Sequence, residues 1–327
     1  MKIIITGSSG YIGSCLYEYL KKKHNVFGVD KNLLKIRKQK KFFKCNILNY
    51  GKFNKIVKHI KPDIIIHLAA QSTVDFIRQK KTYIDNNVKV TKNVISSVNE
   101  NNIKHFIFSS TAAVYKKTNK KITEKSPKKP NNIYGKTKLD CEKIILNKIN
   151  KKKTNFIIFR FFNVCSSLYS YKIGEFHNPE THLIPIMTSK FKKQKKIYIY
   201  GRNFNTPDKT CIRDYIHIKD IVEGFKKGIN YLKLNKKSEI INLGTRNGVS
   251  TMDIFKNFKN FLPYKYSNPF FKERRLGDVD SLVCDNKNSF KILKWKPKNS
   301  KILRIIKDEI KWYSYFNKKG LIRKTIY

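Results

Sequence analysis

The chain has 327 residues, 40% of them hydrophobic and 13% aromatic, enough to bury a substantial core without disulfides or a structural metal. No uncharged apolar run reaches the ~18 residues that a membrane span requires. Ile3-Ile4-Ile5 follows Met1-Lys2 directly, leaving no room for a cleavable leader, so a soluble cytoplasmic protein is expected. Lys and Arg number 71 against 23 Asp and Glu, for a net charge of +48. Such a balance would normally point to nucleic acid. The lysine clusters instead recur along the whole chain, at residues 21–23, 38–41, 116–121, 151–153 and 190–196. With abundant Asn, Ile, Phe and Tyr they look like a coding bias toward A and T. Neither a specific nucleic-acid partner nor a membrane is expected, and a nucleic-acid-binding protein on a retained fold is the alternative that charge alone suggests. None of the six cysteines (Cys15, Cys45, Cys141, Cys165, Cys211, Cys284) stands in a C-x-x-C pair, so they read as reduced, buried small residues.

In chain order, apolar runs at 2–6, 26–29, 64–68, 106–109 and 156–161 alternate with amphipathic stretches at 11–23, 52–59, 83–99 and 133–149. Strand and helix in alternation predict an α/β fold, a doubly wound parallel sheet of the Rossmann type. From about Cys165 the texture changes to a short strand at 197–200, scattered Pro and Gly, and helices at 218–232, 252–261 and 302–313. A smaller α/β second domain is expected, with domains at 1–164 and 165–327 and the chain crossing back across a soft boundary. Trp312 reads as core packing and the tail from Lys318 to Tyr327 as frayed.

Thr6-Gly7-Ser8-Ser9-Gly10-Tyr11-Ile12-Gly13 carries three glycines at spacing three from the first strand into the first helix. A pyrophosphate needs that geometry: glycine permits the tight turn and close backbone approach, and the helix start presents free amides and a favourable dipole. Asp30 closes the second strand 23 residues after Gly7, near the ~20 at which a carboxylate meets the adenosine ribose hydroxyls. It would repel a 2′-phosphate, so NAD is expected over NADP.

Tyr134-Gly135-Lys136-Thr137-Lys138 puts Tyr134 and Lys138 on one helix face behind Pro130-Asn131-Asn132. A phenol with a pKa near ~10 must be depressed by about three units, worth ~4 kcal/mol, to act as a base near neutrality. A nearby ammonium and an oxidised nicotinamide would supply that together. Spacing alone decides little, because Tyr17, Tyr19, Tyr215 and Tyr315 also have lysine four positions on. Context singles out Tyr134: it follows the strand ending in Ser109-Ser110-Thr111, whose hydroxyls stand at the carboxyl edge where cofactors bind.

These motifs, with His67-Leu68-Ala69-Ala70, Tyr83-Ile84-Asp85-Asn86-Asn87-Val88, Arg160-Phe161-Phe162-Asn163, the run from Gly174 to Pro185, Cys211-Ile212-Arg213-Asp214-Tyr215-Ile216-His217 and Arg274-Arg275-Leu276-Gly277-Asp278, cover nearly the whole chain. The chain resembles the extended short-chain dehydrogenase/reductases and, among them, the UDP-glucose 4-epimerase family. That resemblance implies an NAD-dependent exchange of UDP-glucose and UDP-galactose through a transient 4-keto sugar, by a homodimer. Tyr134 would take the O4 proton, Lys138 would hold the nicotinamide ribose and lower the tyrosine pKa, and Thr111 would bridge O4 and Tyr134. The cofactor would rest on Gly7, Gly10, Tyr11, Ile12, Gly13 and Asp30, with Asn46 and Ile47 near adenine. Ala69, Asn86, Ser109 and Phe161 would complete its site beside Tyr134 and Lys138. Arg213 and Arg275 suit the substrate diphosphate as bidentate donors. Asn163, His182, Leu183, Tyr200 and Asp278 would complete the UDP-sugar contacts, Asn163 and Asp278 on the uridine nucleotide.

Sister activities remain alternatives: a UDP-N-acetylglucosamine or UDP-glucuronate 4-epimerase. Dehydratases and decarboxylases of the superfamily carry acidic residues after the threonine, whereas Ala112-Ala113 follows Thr111 here. Asn46 replaces a usual aspartate, Ser72 a lysine of some members, Lys116 a frequent glycine and Phe161 a frequent tyrosine. Leu282 stands where members restricted to plain hexoses place tyrosine, which predicts a pocket that also admits N-acetylhexosamines. His67, ending an apolar strand, reads as a satisfied core histidine. His177 and His182 show no spacing with carboxylates or cysteines that suggests a metal, and none is expected.

Overall fold

The computed structural model describes residues 1–33, 39–72, 80–177, 179–275 and 277–318. The tail beyond Lys318 lies outside the described residues, as do Lys38 of one lysine cluster and Asn178 and Leu276 of two motifs. Two compact units share the chain: residues 1–116, 126–161 and 224–241 form the first, and 117–125, 162–223 and 242–327 the second. A single cut after residue 164 leaves out two crossings, 117–125 and 224–241.

In chain order the first unit begins with β1 (Lys2–Thr6), α1 (Tyr11–Leu20), β2 (Asn25–Asp30), β3 (Phe42–Lys44), α2 (Tyr50–Ile60) and β4 (Ile64–His67). Then follow α3 (Lys80–Tyr83), a π-helical turn (Ile84–Lys89), α4 (Val90–Glu100), β5 (His105–Thr111), α5 (Ile133–Lys148) and β6 (Asn155–Phe161). The strands are parallel from β3 through β2, β1, β4 and β5 to β6. Burial on both faces explains why they read as unbroken apolar runs: Ile3, Ile4, Ile5, Ile64, Ile65 and Ile66 are all fully buried. The order reverses direction at β1, which has β2 on one side and β4 on the other. Crevices for ligands open at the carboxyl ends of strands at such a reversal.

Three departures from expectation are informative. The strand expected to end at Ser109 runs on to Thr111, because β6 pairs with it through Thr111 and Phe161. The helix expected over 83–99 is split by the π-helical turn, in which buried Asn87 accepts from the Gln71 amide at 2.7 Å and donates to Thr137 Oγ1 at 2.9 Å. The sheet also gains a seventh strand beside β6 from far along the chain, residues 239–243.

The second unit holds β7 (Asn163–Cys165), β8 (Ser167–Leu168), β9 (Ile173–Gly174), α6 (Leu183–Lys192), β10 (Tyr198–Tyr200) and β11 (Ile212–His217). From β11 the chain enters α7 (Ile218–Asn235) and β12 (Glu239–Leu243), the seventh strand. It continues with β13 (Gly248–Ser250), α8 (Thr251–Lys259), β14 (Phe270–Lys272), β15 (Ser281–Leu282), α9 (Lys287–Leu293) and α10 (Ile302–Lys318). Strand β11 is the organiser, pairing with β7, β13 and β15. Met187 and Phe191 of α6, Phe255 and Phe258 of α8 and Ile305 of α10 form the core of this unit. Asp214 in β11 is buried, accepts from the Thr245 amide at 2.8 Å and the Cys284 amide at 3.1 Å, and has its carboxyl pushed up to about 6 by burial. Five of the six free cysteines are buried; Cys211 departs from expectation by being only half-buried.

Within the first unit, Arg160 of β6 and Glu142 of α5, each about 1% exposed, form a bidentate pair at 2.9 and 2.6 Å. Tyr115 accepts from Arg160 at 2.8 Å and Ser110 donates to Glu142. Removing one partner of such a pair strands a charge in the core at a cost of ~3–5 kcal/mol, whereas replacing both by apolar residues is nearly neutral. Glu142→Leu should therefore lower unfolding stability by about 3–5 kcal/mol in urea, and Glu142→Leu/Arg160→Met should restore most of it; equal losses in both variants would contradict this reading.

Candidate active site

The turn between β1 and α1 is built to bring backbone close to backbone. Gly7 has φ +70°, and a Cβ there would sit 2.6 Å from the Ala69 amide nitrogen at the end of β4. A Cβ on Gly13 would lie 2.1 Å from the Gly7 carbonyl. Gly10, by contrast, is exposed and faces open space apart from that carbonyl at 3.2 Å. It is also the N-cap of α1, where no side chain caps the helix and the first turn carries no acidic residue. Tyr11, Ile12 and Gly13 therefore start a helix whose first amides lack intrahelical acceptors beside a bare glycine ledge. Ser8 adds a buried hydroxyl without a partner. A diphosphate fits this cradle.

Asp30 Oδ2 accepts from the Ser9 amide at 2.9 Å and Oδ1 from the Lys31 amide at 2.7 Å, which ties the end of β2 to the glycine turn. Burial pushes its carboxyl up, and those amides hold it back. Lys31 donates to Asn86 at 2.6 Å. Asn46 is exposed and accepts from the Leu48 amide at 3.2 Å; the carbonyl of buried Ile47 accepts from Asn93 at 2.9 Å. A dinucleotide fits the donors and acceptors of this edge.

Helix α5 begins at the carboxyl edge of the same sheet. Asn132 caps it by accepting from the Gly135 amide at 2.7 Å, and a Cβ on Gly135 would lie 2.3 Å from the Ala113 carbonyl. Glycine thus lets the first turn of α5 touch the turn that follows β5. That contact brings the first turn of α5, which carries Tyr134, to the end of β5 and Thr111, and Thr111 favours the ionised phenol. Thr137 donates to the Tyr134 carbonyl at 2.9 Å and receives from Asn87, anchoring this turn to the π-helical segment. One helical turn on, Lys138 is 2% exposed, with its ammonium 4.2 Å from the Phe108 ring centre. Ser109 donates to the His67 carbonyl at 3.2 Å. His67 is fully buried between Thr6 and Thr91, as expected of a satisfied core histidine, and burial drives it down to about 3.

The electrostatics differ from the simple expectation of a tyrosine depressed by its lysine. Burial pushes Tyr134 up to about 12, and the neighbouring Thr111 offsets only part of that. Burial also brings Lys138 down to about 8, while Cys141 and Glu142 favour its charged form. A phenolate near neutrality thus needs ~7 kcal/mol of differential stabilisation. One nearby cation typically supplies about 1–3 pKa units, so Lys138 alone falls short and a second positive charge has to act on the phenol.

In the second unit, the Arg213 guanidinium donates to the carbonyls of Ile212 and Val279 at 2.9 and 2.7 Å and pairs with Asp278 at 3.4 Å. The guanidinium of Arg275 stacks 3.9 Å above the Tyr200 ring. Asn163 of β7 pairs in register with Tyr215 of β11. His182 stands at the N-cap position of α6, of which Leu183 is the first residue, without a side-chain capping bond; its ring hydrogen-bonds Glu175, whose carboxylate raises the imidazole to about 9 against burial.

A family model for the NAD dependent epimerase/dehydratase family matches residues 3–244. The chain belongs to this family. A UDP-glucose 4-epimerase of Lactobacillus helveticus is 34% identical over 325 residues, 96% of this chain and 97% of that relative. A solved UDP-glucose 4-epimerase superposes with a TM-score of 0.90 at 31% identity, over 96% of this chain and 98% of the other. The Bifidobacterium longum enzyme in complex with NAD+ and UDP gives 0.87 at 26% identity, over 96% and 98%.

Among the family-motif residues, Phe161 packs its ring against Phe159 and Phe225 in the core. Glu142, which holds α5 in place, escaped the sequence reading, and Asn87 entered it only as part of a motif. Arg160 inside the apolar run 156–161 was the available signal, since a buried charge requires a buried partner. The spacing argument about His177 and His182 needs correction: the loop gathers both with Glu175 and Glu180, whose intervals of two, three and two residues follow no helical or strand period. Gly135→Ala should lower turnover about 100-fold, the scale of an ~1 Å misplacement, with the far-UV spectrum preserved; a variant of unaltered turnover would show that the close contact with Ala113 does not position Tyr134.

Proposed function

We propose that the chain is an NAD-dependent UDP-glucose 4-epimerase, a cytoplasmic homodimer whose first unit holds the cofactor and whose second unit grips the nucleotide. The single observation that carries the reading is the placement of Tyr134 and buried Lys138 one turn apart at the start of α5, beside the end of β5 and at the same sheet edge as the glycine cradle. Gly7, Gly10, Tyr11, Ile12 and Gly13 would hold the pyrophosphate, Asp30 the adenosine ribose, and Lys138 with Ser109 the nicotinamide side. When bound, NAD supplies the acceptor and then the donor of the C4 hydrogen, and in its oxidised form a positive ring beside the phenol.

Tyr134 removes the proton of the sugar O4 through or beside Thr111, and returns it when the sugar has presented its other face. Arg213, Arg275 and Asp278 would fix the UDP part while the hexose stays free to turn. Asp278 and two carbonyls hold the Arg213 guanidinium in place, so its remaining donors meet the diphosphate preorganised. Loss of the O4 hydroxyl proton and of the C4 hydrogen balances their return, so no net oxidation follows. Among the described residues, no helix is long and apolar enough to cross a membrane.

Purified protein given UDP-galactose and no added cofactor should form UDP-glucose, and Tyr134→Phe should lower kcat about 100- to 10,000-fold, the range of general acid–base catalysis. Near-normal turnover by that variant, or conversion of UDP-glucuronate in preference to UDP-galactose, would overturn the reading. Nucleic-acid binding that survives moderate salt would favour the alternative drawn from charge.

Leu282 pairs in register with Arg213 across β15 and β11, so its size bears on the pocket beside that arginine. Wild type should convert UDP-N-acetylglucosamine and Leu282→Tyr should lose that activity while keeping UDP-galactose; equal failure of both on the larger sugar would refute an enlarged pocket.

A further inference from the structure

The loop leading into α6 gathers three side chains that the proposed chemistry does not use, Glu175, His177 and Glu180, around His182. One ligand atom from each of the four residues lies within 4.8 Å of the others. His177 Nδ1 is 3.7 Å from Glu175 Oε1 and 3.5 Å from Glu180 Oε2, and His182 Nδ1 hydrogen-bonds the same Glu175 oxygen. The two imidazole rings are nearly perpendicular, at 84°, with centres 4.9 Å apart. Donor atoms of a tetrahedral site with ~2.0–2.1 Å bonds stand about 3.3 Å apart. The quartet is thus close to coordinating geometry before any ion enters.

A second, independent feature points to a missing positive charge. Glu175 is 3% exposed, and its Oε2 is buried without a hydrogen-bond partner; so is Nδ1 of His177. Glu309, 1% exposed on α10, also carries a buried, unpartnered Oε2 within electrostatic reach of Glu175 and Glu180. A carboxylate oxygen shut away from water with no donor is costly, and a divalent cation would satisfy what the loop leaves open. Hydrogen bonds tie the described residues of the loop together. Glu180 accepts from the amides of His177, Thr181 and His182 at 3.1, 2.8 and 2.9 Å, and Trp312 donates to the Glu175 carbonyl at 2.9 Å.

We propose that Glu175, His177, Glu180 and His182 bind one divalent transition-metal ion, with zinc the best match. Two imidazoles and two carboxylates suit zinc, which accepts nitrogen and oxygen donors in a tetrahedron. Calcium and magnesium prefer six or more oxygen ligands. The ion would clamp the loop and the start of α6, a structural role separate from proton or hydride transfer.

The test uses the untagged full chain purified without chelating resin, loaded with zinc and dialysed against metal-free buffer. Elemental analysis should then find about one zinc per chain, and cobalt should saturate at the same stoichiometry with the strong visible bands of a tetrahedral site. His177→Gln and Glu180→Gln should each weaken cobalt binding about 100-fold while the zinc-dependent rise in Tm disappears. Wild-type protein that retains no stoichiometric zinc and shows no saturable cobalt spectrum would overturn the proposal, leaving a hydrogen-bonded carboxylate–imidazole cluster. A wild-type cobalt spectrum in the His177→Gln/Glu180→Gln double variant would also overturn it, by placing the ion elsewhere. No readout depends on UDP-sugar turnover, so failure here and failure of the epimerase reading are distinguishable.

Discussion

The placement of Tyr134 beside Thr111 depends on how closely α5 can approach the end of β5. Only a residue without a Cβ lets position 135 come against the Ala113 carbonyl, and only a capped helix start holds the turn there; Gly135 and Asn132 meet these conditions. From that approach follow the burial of Lys138 over Phe108, the tether from Asn87 through Thr137 and the desolvation that raises the phenol. The buried Glu142–Arg160 pair fixes the next turn of α5 to β6, so the reactive turn belongs to a helix pinned at two depths.

The same desolvation is why the proposed base would depend on the cofactor. A phenol at about 12 is inert as a base, and an ammonium at about 8 next door cannot by itself bring it to neutrality. On the proposed mechanism the phenol would react only when a further positive charge is present, and would stay protonated until the oxidised ring is in place. The glycine ledge at α1 and the Asp30 carboxylate, on the same sheet edge, are the groups proposed to hold that ring's nucleotide.

Much of this was legible in the sequence because parallel strands announce themselves. Ile3-Ile4-Ile5 and Ile64-Ile65-Ile66 are apolar on every residue, and the glycine turn, the tyrosine–lysine pair and the hydroxyls of 109–111 carry chemistry at fixed spacing. The seventh strand was not legible. Glu239-Ile240-Ile241-Asn242-Leu243 is short, mixed in polarity and distant in sequence from β6, its neighbour in the sheet. The Glu175 to His182 cluster was invisible for another reason: its members meet through loop geometry, which leaves no period to read.

The central claim is that the charge of the oxidised cofactor, added to that of Lys138, ionises Tyr134. The direct measurement is the tyrosinate absorbance difference between wild type and Tyr134→Phe, titrated once with NAD+ bound and once with NADH bound. The account predicts a midpoint near neutrality for NAD+ and a far higher one for NADH. One midpoint shared by both cofactor states would contradict it.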